Sequence, residues 1–181
     1  TSCIHHFLAV NYHRVYQILR KKYPDIDFID CYMDPIMRRK SPAVPSLWRQ
    51  IHRLLEPAEK TKAQVNLVGN CFPYLEYSDL TVHLQEHGIR VMDVNTCSSY
   101  DEFRTMAASA VTFTFHNTAQ AAGKDMKIRL GQDWIRMRPG YNYDEIDEDM
   151  RTASEYLGIP YLDEAGMQVW RNRAETAVSH A

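Results

Sequence analysis

Short apolar segments alternate with longer amphipathic ones along most of this 181-residue chain, and this alternation restricts its fold more than any other feature. Residues 65–69, 89–94, 111–115 and 134–137 have the length and the apolar composition of buried β-strands. A segment with helical periodicity follows each of them. Because strands that alternate with such helices form right-handed βαβ units, the sequence predicts an α/β fold with a parallel sheet flanked by helices.

The helices between these strands have recognisable start and stop residues. Ser99 and Glu102 have the spacing of a capping box, which predicts a helix start. Glycines that commonly end a helix in the left-handed conformation follow three helical segments: Gly88, Gly131 and Gly158. After the last of these, residues 159–162 predict a short extended piece, and a final helix is predicted through Met167 and Trp170.

The first 60 residues are less regular. Residues 10–22 predict an amphipathic helix that ends in cations, residues 26–32 predict a strand, and Ser46 is predicted to cap a helix that includes Leu55. The chain starts without Met, in a loop of the kind that normally follows a strand. We therefore expect a fragment of a longer polypeptide.

Soft metal-ligating side chains follow the predicted strands. Cys31 closes the first strand, and Cys71, Cys97 and His116 come just after three of the later ones. The carboxyl ends of parallel strands share one edge of the sheet, where ligands bind, and thiolate and imidazole suit soft metals and clusters. The sequence predicts that Cys71, Cys97, His116 and Asn70 bind a cofactor. Inert buried cysteines and a histidine hydrogen-bonded in a turn remain the alternative.

The first loop carries a second group of such side chains. Cys3, His5 and His6 have the chemistry of zinc or iron ligands, and a terminus without a metal is the alternative. No metal ligand is assigned from the sequence alone.

Composition and missing motifs exclude several functions. The net charge of -2 and the pI of about 6.4 give no signal for nucleic-acid binding. No apolar stretch approaches the roughly 20 residues of a membrane span, so no membrane association is predicted. The four cysteines lack CxxC spacing and the first residues show no signal-peptide pattern, so we expect a cytoplasmic protein. Gly69 is not followed by a glycine-rich phosphate loop, which argues against a dinucleotide or nucleoside triphosphate.

Residues 64–166 resemble the second Rossmann-like domain of nitrogenase component 1-type oxidoreductases. This family includes the molybdenum-iron protein subunits, the cofactor scaffold proteins and the subunits of dark-operative protochlorophyllide reductase. The resemblance rests on the order and spacing of short motifs: VNLVG at 65–69, GIRV at 88–91, YDEF at 100–103 and GIP at 158–160. It implies that residues 61–181 form a Rossmann-like domain with an exit helix. Residues 1–60 would then be the tail of a preceding α/β domain plus a linker.

The resemblance also implies a function and its partners. Such a protein accepts electrons from an ATP-dependent iron protein, pairs with a homologous second subunit, and holds an iron-sulfur or related metallocluster, or a substrate, between domains. In the family's subunit that binds the iron-molybdenum cofactor, a cysteine follows the third strand of this domain, but here that place holds His116. Binding of that cofactor, and nitrogen fixation with it, is therefore not implied.

Two expectations and two alternatives complete the interpretation. The fragment by itself is expected to be inactive and to carry no cluster, because clusters and substrates of the family lie between domains and subunits. One alternative is a non-catalytic α/β domain that binds a tetrapyrrole or another ligand at the same sheet edge. The other is a purely structural domain whose cysteines are inert.

Overall fold

A computed structural model describes residues 10–29, 42–161 and 164–179. Its centre is a four-stranded sheet in which every strand pair is parallel and the strand order is β2-β1-β3-β4. The strands are β1 (Thr61–Val68), β2 (Arg90–Met92), β3 (Ser109–Thr114) and β4 (Asp133–Arg136). The predicted α/β fold with a parallel, Rossmann-like sheet is confirmed.

Helices precede, connect and follow these strands. The α-helices of the described residues are α1 (Tyr12–Lys22), α2 (Ala43–Ile51), α3 (Asp79–Glu86), α4 (Tyr100–Thr105), α5 (Gln120–Leu130), α6 (Tyr143–Leu157) and α7 (Glu164–Ser179). Short 3-10 turns are His52–Leu54, Met106–Ala108 and Asn117–Ala119. Among these helices, none combines the length and the apolar character that crossing a membrane requires.

The hydrophobic core lies in two layers, one on each face of the sheet. The first, here called the Trp48 layer, joins the sheet to α2, α4 and α5 through Trp48, Leu55, Val68, Met92, Phe103 and Met126. The second, the Leu84 layer, joins the sheet to α3 and α6 through Val65, Leu84, Val91, Val111, Phe113 and Leu157. Alternate residues of β1 and β3 point to opposite layers, as the pleat of a strand requires.

A buried polar network ties the turn before β3 to the sheet. Asn66 Nδ2 donates to the Met106 carbonyl at 3.0 Å, and Asn66 Oδ1 accepts from Ser109 Oγ at 2.8 Å. Gln132 Nε2 donates to the same carbonyl at 2.7 Å. All three polar side chains are at most 1% exposed. Because a buried polar group without a partner costs free energy, this network fixes the turn in one position.

Predictions for the first 60 residues are partly wrong. Residues 26–29 pair with no strand of the sheet. Ile26 is 53% exposed, and the Phe28 carbonyl accepts a hydrogen bond of 2.9 Å from Arg20 Nη2 of α1. The rest of the predicted strand at 26–32, including Cys31, lies outside the described residues, as do Cys3, His5 and His6.

Helix α2 starts four residues earlier than predicted. It begins at Ala43 with Pro42 as its N-cap, and Ser46 lies inside its first turns. Prolines are tolerated there because the first N–H groups of a helix have no intrahelical partner. Ser46 Oγ instead accepts from Gln50 Nε2 at 2.8 Å.

The helix boundaries after β2 agree closely with prediction. Ser99 Oγ accepts from Glu102 N at 3.1 Å, which confirms the cap of α4. Gly131 and Gly158 end α5 and α6 in the left-handed conformation. The predicted extended piece at 159–162 forms no strand in its described part, because the amide of Ile159 is already hydrogen-bonded within the end of α6.

Candidate functional site

From the two central strands, β1 and β3, the chain continues toward opposite edges of the sheet. After β1 the chain passes through α3, on the Leu84 layer, to β2 at one edge of the sheet. After β3 it passes through α5, on the Trp48 layer, to β4 at the other edge. In open α/β sheets such a reversal opens a crevice between the two loops, and ligands bind there.

A cleft of about 540 Å³ lies at this reversal. The loop after β1, at residues 70–75, forms most of one wall, and Phe115 and His116 after β3 contribute the other. Ser78 and Leu80 extend the lining to the start of α3. Its size is in the range of small-molecule sites, and we call it the switch-point cleft.

Two small residues let the loops at the base of the cleft approach each other. Gly69 has a φ of 100°, and a Cβ added there would overlap the Cβ of Ala119. Only glycine combines this backbone conformation with the close approach. The loop after β1 therefore leaves the sheet in the direction that opens the cleft.

A buried carboxylate holds the wall formed by the loop after β1. Asp93, at the end of β2, is 1% exposed and accepts a hydrogen bond of 3.0 Å from Asn70 Nδ2. It also accepts from the amide N and the Nδ2 of Asn95, both at 2.9 Å. Asn95 Nδ2 also donates to the carbonyls of Asn70 and Phe72. The three residues form a hydrogen-bonded ring that closes through the backbone carbonyl of Asn70, here called the Asp93 latch.

The electrostatics of the latch reflect its burial. Desolvation raises the pKa of Asp93, and the hydrogen bonds from Asn95 and Asn70 act in the opposite direction. Burial also raises the pKa of the Tyr74 hydroxyl, helped by the charges of Glu76 and Asp93, while Arg90 opposes them. Tyr74 therefore lies in a partly desolvated part of the cleft wall, with Glu76, Asp93 and Arg90 close enough to act on its hydroxyl.

Three of the four predicted cofactor-binding residues meet in the cleft. Asn70, Cys71 and His116 all line it, and Cys71 is an exposed free thiol. Cys97 is outside its lining and packs against the Trp48 layer, where its Sγ donates to the Asp93 carbonyl at 3.3 Å. Burial raises the pKa of the Cys97 thiol, with Glu102 and Asp93 adding to the effect. The cofactor-binding role of all four stays a prediction.

The described residues do not form a metal centre by themselves. No group of three or more His, Cys, Asp or Glu side chains in the described part of the chain is arranged to hold a metal ion. Cys71 and His116 offer two soft donors in one cleft, whereas an iron-sulfur cluster needs about four. These residues alone do not fit a complete cluster.

Sequence reasoning missed the residues that shape the cleft. Asp93 and Asn95 have the side-chain types that bond to nearby backbone in turns, and a D-x-N sequence after a strand is a usable signal for such a turn. Tyr74 and Leu80 carry no such signal, because their contribution depends on where the loop folds. Their place in the lining follows only from the structure.

Comparison with known proteins shows to which family the chain belongs. No curated protein matches the chain significantly. A family profile, that of the nitrogenase component 1 type oxidoreductases, matches residues 2–181. The match spans nearly the whole chain, and the parallel sheet agrees with the fold expected from the sequence motifs. The chain therefore belongs to the nitrogenase component 1 type oxidoreductase family.

Proposed function

We propose that this chain is part of an oxidoreductase that accepts electrons from an ATP-dependent iron protein and binds a metallocluster or a substrate at the switch-point cleft. The observation that carries the proposal is the position of the cleft between the loops after β1 and β3. Asn70, Cys71 and His116 are its predicted binding residues, and family membership supports the redox chemistry.

The proposal includes a division of the chain and a partner. Residues 61–181 would form the Rossmann-like domain with its exit helix, and residues 1–60 the end of a preceding domain with a linker. The sheet begins at Thr61, which supports this division, and the preceding segment packs on the domain through Trp48 and Leu55 of the Trp48 layer. A homologous second subunit and further domains would close the cleft, and we place the protein in the cytoplasm.

A metallocluster would need ligands from outside the described residues. Cys71 and His116 would supply two of them, and the remainder would come from another domain or subunit. Such a cluster would supply one-electron chemistry when bound. The residues of this chain would fix its orientation, because the Asp93 latch holds the loop that carries Cys71. Cys97 packs away from the cleft, and the proposal does not require it.

A non-catalytic domain that binds a tetrapyrrole or another ligand at the same edge is the second candidate. The observation that favours it is the small number of metal donors in the cleft, together with a mostly apolar lining. The two candidates differ in whether the bound species is reduced in an ATP-dependent reaction.

The test uses the full-length protein, purified without oxygen together with its iron protein. We expect ATP-dependent reduction of a bound species, followed by visible absorption, and its loss in Cys71→Ser and His116→Ala. Cys97→Ser is the matched control and should retain the reaction. Binding of a chromophore without ATP-dependent reduction would favour the second candidate. Absence of both binding and reduction would contradict a ligand site at the cleft.

A further inference from the structure

The lining of the switch-point cleft has a composition that restricts its ligand. Among the described residues that line it, none is Lys, Arg, Asp or Glu. Most are apolar or aromatic, and Phe72 and Leu75 are 80% and 55% exposed. Large apolar side chains that remain this exposed around a concavity are typical of a binding surface.

Asp93, a charged group beside the wall, uses its carboxylate oxygens for hydrogen bonds inside the latch. The carboxylate of Asp93 receives three N–H groups from Asn70 and Asn95, so it is turned into the latch and is absent from the lining. No Lys or Arg is present among the described lining residues to balance an anionic ligand. Two of the three charges that act on Tyr74, those of Glu76 and Asp93, are negative.

Because binding removes water from the ligand, a cleft of this composition favours uncharged ligands over charged ones. A charged ligand that enters an apolar cleft loses hydration, and only a counter-charge or several hydrogen bonds can offset that cost. An uncharged ring system loses little and gains apolar contact with Phe72, Leu80 and Phe115. The side chains of Asn70, Ser78 and His116 offer hydrogen bonds that can orient such a ligand.

We infer that the switch-point cleft binds an uncharged small molecule with an aromatic or apolar ring system and discriminates against anions. This inference rests on the proposed function, because it names the ligand class of the same site. Under this inference, the ligand of the cleft is the substrate and not an anionic metallocluster. The cleft volume of about 540 Å³ accommodates a molecule of several fused rings.

The test compares three fluorescent probes of similar size on the full chain. Nile red is neutral, 1-anilinonaphthalene-8-sulfonate is anionic and thioflavin T is cationic. Titration should show that the neutral probe binds about tenfold more tightly than either charged probe. Phe115→Ala should weaken the neutral probe, since it removes an aromatic wall of the cleft.

A charge introduced into the wall should change this preference. Leu75→Lys places a cation at an exposed position of the lining, and the anionic probe should then bind about tenfold more tightly than to the wild type. Ile128→Lys is the matched control, because Ile128 is 86% exposed on α5 and outside the cleft lining. It should leave the affinities of all three probes unchanged.

The outcomes separate the inference from the proposed function. If a charged probe binds the wild type as tightly as the neutral one, and Phe115→Ala weakens it, the cleft is a ligand site and the inferred ligand class is wrong. If no probe binds, or if Phe115→Ala changes nothing, the proposed site itself is wrong. If the chain dimerises and Leu75→Lys makes it monomeric, a second copy covers the cleft, which also overturns the inference.

Discussion

The carboxylate of Asp93, directly after β2, accepts a hydrogen bond of 3.0 Å from the side-chain amide of Asn70 in the loop after β1. Through this bond, and through Asn95, the loop that carries Cys71 is tied to the neighbouring strand. The side chain of Phe72 is exposed, but the backbone carbonyl of Phe72 is fixed by a hydrogen bond from Asn95 Nδ2. A binding site benefits from such preorganisation, because less conformational entropy is lost when a ligand binds.

Removing the charge of Asp93 should destabilise the protein. Asp93→Asn keeps the volume but replaces one acceptor oxygen by an N–H donor that faces other donors. We expect a loss of about 1–3 kcal/mol in the free energy of unfolding, measured by urea denaturation. Asp101→Asn, at an exposed position of α4, should change it by about 0.5 kcal/mol or less. Equal effects of the two substitutions would show that the latch contributes nothing.

The acid stability of the protein should depend on His52. Its side chain is fully buried, with Nδ1 hydrogen-bonded to the Trp48 carbonyl and Nε2 without a hydrogen-bond partner among the described residues. Burial lowers the pKa of His52 from 6.5 to about 4, with Arg129 adding to the effect. Since the folded-state pKa lies below the unfolded one, the stability from neutral His52 is present above pH 6.5 and is lost as the pH falls toward 4.

The size of this loss is measurable. The shift corresponds to about 3 kcal/mol of unfolding free energy, most of it lost between pH 6.5 and 4. His52→Phe should flatten the pH dependence in this window, whereas Ile128→Ala, at an exposed and non-titratable position of α5, should leave it unchanged. Guanidinium denaturation at a series of pH values provides the measurement. A wild-type profile that stays flat from pH 6.5 to 4 would contradict the burial of a neutral His52.

Backbone strain and steric overlap can be separated at two glycines. Gly69 and Gly88 both have positive φ, 100° and 71°, but only at Gly69 would a Cβ meet another atom, on Ala119. We expect Gly88→Ala to cost about 1 kcal/mol, the usual penalty of a left-handed residue with a side chain. Gly69→Ala should cost more, because the loops after β1 and β3 must also move apart. Similar losses in urea denaturation would mean that the loops at the base of the cleft separate freely.

The sheet could be predicted from the sequence, because parallel strands that are buried on both faces are runs of apolar residues. Val65 and Val111 belong to such runs and lie at the centre of the sheet. The first half of β1 was not predicted, because Lys62 and Gln64 have the polarity of a linker. Gln64 can be buried because its side-chain amide donates to the Thr105 carbonyl at 2.8 Å and to Ser109 Oγ at 2.9 Å, partners that are 41 and 45 residues away.

For the site, the sequence predicted only the edge of the sheet at which it lies. Topology alone places Cys71, Cys97 and His116 after neighbouring strands, and the structure agrees. Which layer each side chain joins depends on the turn that follows the strand. Cys97 turns toward the Trp48 layer because Thr96 and Cys97 both hydrogen-bond to the Asp93 carbonyl. No periodicity in the sequence carries that information.

The two cysteines of the described part should therefore differ sharply in reactivity. Cys71 is exposed in the cleft, whereas Cys97 is partly buried, donates to the Asp93 carbonyl and has a raised pKa, so less of it is thiolate at neutral pH. Iodoacetamide should modify Cys71 at least about tenfold faster than Cys97, as measured by mass spectrometry of the labelled peptides. A neutral ligand bound in the cleft should slow the labelling of Cys71 and leave that of Cys97 unchanged, which provides an internal control. Equal rates for the two thiols, or protection of both, would mean that the loops after β1 and β2 exchange between conformations and that the Asp93 latch does not hold the wall of the cleft.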